Sequence, residues 1–124
     1  VVDGTNYGAP LENLRAAMRD AGLDSVDLWI GSGGKPVAGL VLPVLKPRAF
    51  LPVHWDSFWL PFDAGLAKPY SDPPLETLMA EQRVTVVKAT QYMDTWRLDR
   101  SGIHAVPNTA AQRALGFASR QPAP

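Results

Sequence analysis

The chain predicts a layered α/β fold, and three observations predict it. Short apolar runs alternate with stretches of helical period, Gly and Pro mark the junctions between them, and hydrophobic residues at 46% suffice for a packed core. The length of 124 residues allows one domain or a piece of one.

Val1-Val2-Asp3 reads as the end of a strand running into the turn Gly4-Thr5-Asn6-Tyr7-Gly8. Pro10 suits the first turn of a helix, Leu11, Leu14, Ala17, Met18 and Ala21 recur at helical spacing, and Gly22 stops it. Glu12 near the start and Arg19 near the end favour the helix dipole. Val26 to Ile30 reads as a short buried strand, and Gly31-Ser32-Gly33-Gly34 as a flexible loop. Gly39 to Leu45 is expected to be a short, poor helix, because Pro43 and Pro47 oppose it. Ala49 to Val53 is the next strand. After the Pro-rich 69–74, Leu75 to Gln82 forms a helix with Leu75, Leu78 and Met79 on one face. Thr85 to Ala89 and Tyr92 to Leu98 read as two more strands, the second with Tyr92, Asp94, Trp96 and Leu98 on one face. Residues 100–124 form a polar, peripheral tail in which Ala110 to Leu115 makes a helical turn or two.

Composition excludes several function classes. Lys+Arg and Asp+Glu balance at 12 each, which opposes a nucleic-acid surface or a polybasic membrane anchor. With no cysteine there is no disulfide, no thiolate ligand and no Cys nucleophile, and the redox compartment stays open. The longest apolar run, Val37 to Leu45, is too short to span a bilayer. No secretory signal is visible. The chain opens on Val-Val-Asp-Gly with no initiator Met and is expected to be cut from something longer.

The richest stretch is RAFLPVHWDSFWLPFDAGL, Arg48 to Leu66. His54 follows an apolar run, so its imidazole is expected at the C-terminal end of a strand, where α/β sheets place ligand-binding groups. A neutral imidazole is the commonest metal ligand, and a lone strand-end His is also a common hydrogen-bonded structural residue. Asp56 is read as a local hydrogen-bonding group or turn cap. Trp55, Phe58, Trp59 and Phe62 either wall a substrate pocket or cover the sheet or an interface between halves of a larger fold. Gly31-Ser32-Gly33-Gly34-Lys35 lacks the phosphate-loop spacing, with Pro36 where Ser or Thr belongs, and no G-x-S-x-G marks a serine nucleophile.

The strand–turn–helix–strand–loop–helix–strand order ending in "PVHWD" resembles the C-terminal half of the metallo-β-lactamase fold, over roughly residues 1–99. The resemblance implies an αββα sandwich with a mixed sheet, residues 100–124 forming a peripheral C-terminal tail. It implies a metal-dependent hydrolase holding one or two zinc ions and acting on a small-molecule substrate. His54 matches the last metal-binding His of that superfamily, and Asp3 in "VVDGT" its bridging Asp, so the two side chains are expected within about 10 Å. Trp55, Asp56, Phe58 and Trp59 would border the substrate. The superfamily's HxHxDH motif is absent, and His104, in a Gly/Pro-flanked segment after the last expected strand, matches no ligand position. Zinc hydrolase sites take about three protein ligands and an open position. The isolated chain is therefore expected to be inactive, to bind zinc weakly, and to pair with a missing N-terminal half or a second copy. The alternative is a non-catalytic α/β binding module that uses its aromatic patch.

Overall fold

Parallel strands need a long connection between them, and here helices supply it. The computed structural model describes residues 8–56 and 59–117. β1 (Leu28–Gly31), α2 (Gly34–Leu45) and β2 (Ala49–Pro52) form a β-α-β unit, and α3 (Pro73–Glu81) leads to β3 (Thr85–Val86). β2 pairs in parallel with both other strands, giving the order β1-β2-β3. α1 (Gly8–Asp20) precedes them and packs on α2, which also packs on α3. β4 (Thr95–Asp99) and β5 (Gly102–Val106) make a separate antiparallel pair, followed by α4 (Thr109–Ala114). The architecture is mixed α/β, as the alternation predicts. The strand expected at Val1–Asp3 lies outside the described residues, as do Asp3 itself and Phe58.

The chain divides into two compact units: Val1–His54 with Asp72–Val87, and Trp55–Ser71 with Lys88–Pro124. In the first, Phe50, Leu75 and Met79 are fully buried. Trp29 and Phe50 are register partners on β1 and β2, so their side chains share a face, with ring centroids 4.6 Å apart. α2 buries Ala38, Val41 and Leu42. α1 ends as Gly22 predicts. Gly22 takes φ 65, and the Leu23 and Gly22 N–H groups reach back to the carbonyls of Met18 and Arg19. The second unit is built on aromatics. Phe62, Tyr92 and Phe117 pack mutually with centroids 4.7 to 5.7 Å apart, and Leu66 and Tyr70 of the same unit are buried.

Five elements differ from expectation: the strand expected over Thr85 to Ala89 is only Thr85–Val86, and four others depart as follows. α2 begins at Gly34, not Gly39, because Pro36 falls in the first turn, where a missing N–H costs nothing. Pro43 lies inside its last turns, and Lys46 in left-handed conformation (φ 44) ends it. β1 is not buried: as an edge strand it turns Ile30 to the face opposite Trp29, leaving it 58% exposed. The strand expected from Tyr92 starts only at Thr95. Met93 has φ 65, and the Asp94 carboxylate accepts the Thr90 and Gln91 amides and the Thr90 hydroxyl, which closes a loop instead. β5 lies within the segment read as a peripheral tail. It carries His104, which stands opposite Arg97 of β4, so His104 follows no last strand but sits on one.

Candidate functional site

His54 sits two residues beyond β2, the central parallel strand, and is exposed. The ladder continues one bond past the strand, Val53 N–H to Gly31 carbonyl at 2.9 Å, and then stops. His54 itself has φ 58, a left-handed conformation uncommon for a residue with a β-carbon and taken here also by Lys46, Arg83 and Met93. It borders a cleft of about 590 Å³ at the carboxyl ends of β1 and β2. The other walls are Trp29, Ile30 and Val53, the Gly31-Ser32-Gly33 loop, and Val37 and Val41 of α2. A crevice at the carboxyl edge of parallel strands is where open α/β sheets bind ligands. The lining side chains are mostly apolar, with His54, Ser32 and the Trp29 indole N–H as the polar groups.

The glycines of the loop are needed for shape. A β-carbon on Gly31 would lie 2.4 Å from the Trp29 indole nitrogen, and one on Gly33 would lie 2.5 Å from Val37. Gly33 also has φ 109. The loop leads into the N-terminus of α2, the end of a helix that attracts anions. That end already faces a carboxylate: one Asp72 oxygen lies 3.5 Å from where a Gly34 β-carbon would be. The other accepts the Leu75 amide at 3.2 Å and caps α3. Asp72 thus opposes phosphate binding here, in line with the missing phosphate-loop spacing.

Whether zinc fits depends on the donor set. Among the described residues, no three His, Asp or Glu side chains come together as metal ligands. His54 alone does not hold a catalytic zinc, which takes three protein ligands. The second expected ligand, Asp3, lies outside the described residues.

The remaining predicted residues belong to the second unit. Trp55 packs edge-on against Tyr70 at 5.4 Å. Asp56 accepts a hydrogen bond from the Tyr92 hydroxyl at 3.0 Å, 36 positions away in sequence. Desolvation, and then the Asp56 carboxylate, push the Tyr92 phenol above its ordinary pKa. Trp59 is 93% exposed, and Phe62 is half exposed while touching Tyr92 and Phe117. From the sequence Tyr92 reads only as a strand residue. No local signal links it to Asp56, because the contact is made by the fold.

A Ser-His-Asp grouping also forms that the sequence did not suggest. Ser101 Oγ lies 2.8 Å from His104 Nε2, and Asp99 lies 3.5 Å from the same nitrogen. A catalytic triad needs the carboxylate on the other ring nitrogen, so that the base is oriented toward the serine. Here the Ser101 hydroxyl and amide instead donate to Asp99, closing the β4–β5 turn. These bonds, the hydroxyl's first, hold the Asp99 carboxyl below its ordinary range. The grouping is a turn, not a nucleophile.

Comparison of the chain with protein-family models, with characterised proteins and with solved structures finds no match. No helix among the described residues is long and apolar enough to cross a membrane.

Proposed function

We propose that this chain is the C-terminal part of a zinc-dependent hydrolase of the metallo-β-lactamase kind. The observation that carries the reading is His54. It stands just past the end of a central parallel strand, in a left-handed backbone conformation, on the wall of a carboxyl-edge cleft. The β1–α2–β2 order leading to "PVHWD" gives further support. On this reading His54 is a terminal ligand, Asp3 bridges two metals or holds the second, and the others come from polypeptide outside the described residues. The substrate stays open, since one scaffold serves many chemistries.

The test is metal content. A longer polypeptide that includes this chain is expected to carry near-stoichiometric zinc, lost in His54→Ala. The 124-residue chain alone is expected to bind zinc weakly and to turn over no ester, lactam or phosphodiester substrate. Tight zinc binding that survives His54→Ala would overturn the reading. A second reading, a non-catalytic interaction module, is favoured by the exposure of Trp59, Leu60 and Phe62. It predicts no bound zinc in either form.

A further inference from the structure

We propose that the second unit carries a binding site for a small zwitterion of the α-amino acid class. The site is a pocket of about 160 Å³. Drug-sized ligands occupy pockets of about 300 to 1,000 Å³, so this one takes something smaller. Trp55, Leu60 and Leu66 supply apolar walls, and its polar side chains are Asp56, Tyr92 and Lys68.

The lining carries side chains of both charge signs. Tyr92 donates to one Asp56 oxygen, Oδ2, which fixes the carboxylate, and among the described residues Oδ1 takes no hydrogen bond and can accept one from a ligand. A half-buried carboxylate beside an indole is the chemistry that recognises an ammonium group. Lys68 is exposed on the pocket's wall and offers a point charge to a carboxylate. A simple cation would meet Lys68, and a simple anion would meet Asp56. A molecule with both charges satisfies both, and its apolar side chain can lie on Trp55 and Leu66. This inference uses neither His54 nor a metal.

The experiment is an amide and indole NMR titration of the whole chain, free of metal, with L-leucine as probe. Isoamylamine and isocaproate serve as analogues that lack the carboxylate and the ammonium. Leucine is expected to give saturable shifts at Trp55, Asp56, Leu66 and Lys68, with each analogue about tenfold weaker or more. Asp56→Asn keeps an acceptor for Tyr92 and should weaken leucine about tenfold without weakening isocaproate. Lys68→Gln should weaken leucine and spare isoamylamine. The dispersion of the spectra shows that each variant is folded. No saturable shift up to roughly 50 mM leucine, equal binding of an analogue, or an unchanged affinity in folded Asp56→Asn would each overturn the proposal. None of these outcomes bears on zinc at His54, so the two readings fail separately.

Discussion

His54 holds a backbone conformation that a β-carbon resists, at a cost of roughly 1 to 2 kcal/mol. His54→Gly should relieve that cost, and His54→Val should add to it through its branched side chain. In urea unfolding, His54→Val is expected to be less stable than His54→Gly by about 1 to 2 kcal/mol. Equal stabilities would mean that the left-handed geometry is not kept in solution. A second residue-scale effect concerns Asp99, whose folded carboxyl titrates below its ordinary value because Ser101 donates to it. A depressed folded pKa adds stability above the unfolded pKa, and that stability is lost as pH falls through the folded pKa. Ser101→Ala should raise the Asp99 pKa toward the ordinary value in a carboxyl NMR titration. No change would remove Ser101 as the cause. At this scale the sequence was informative about position and silent about partners. "PVHWD" at the end of an apolar run located His54. The Asp56–Tyr92 bond is a tertiary contact that no local pattern carries, whereas the Asp99–Ser101 turn is local, and its Asp-Arg-Ser-Gly sequence is a turn signal that the reading of residues 100–124 as a tail passes over.

The helices and strands show where local chemistry decides. α3 has an N-terminal Asp72 cap, Pro73 and Pro74 in its first turn, and Glu76 reaching back to the Asp72 amide at 3.0 Å. Asp72→Ala should cost about 1 kcal/mol in thermal or urea unfolding. A neutral result would show that the reciprocal bonds do not persist in solution. Gly33→Ala combines φ 109 with a 2.5 Å approach to Val37 and should cost roughly 1 to 3 kcal/mol. Strongly periodic elements were legible: α1, α3 and β2 fall where their apolar spacing puts them. α2 is longer than its sequence suggests because Pro36 counts against a helix only beyond its first turn. β5 was missed because Gly102, His104 and the following Pro107 hide an exposed strand with little apolar alternation. Its pairing with β4 depends on the turn that Asp99 and Ser101 close.

Across the whole molecule, the core of the first unit converges on β2. Phe50, 1% exposed between two neighbouring strands, is its largest fully buried side chain, and Phe50→Ala should cost about 3 to 5 kcal/mol. The opposite tendency is exposure: Ile30, Trp59 and Phe62 are each more than half exposed. Apolar surface of this kind promotes association. Light scattering across a concentration series should show self-association, and an apolar dye should bind. A clean monomer with no dye binding at high concentration would argue that these side chains are accommodated as they stand.

The order β1-β2-β3 also sets a timetable during synthesis. β1, α2 and β2 leave the ribosome together, but β3 comes only after residues 55–71 and α3 have been made. At about 5 to 20 residues per second, the second edge of β2 stays open for a few seconds. An open edge beside an apolar side chain invites pairing with another nascent chain. The length of that excursion should add to the chance that a nascent chain pairs wrongly before its sheet is complete.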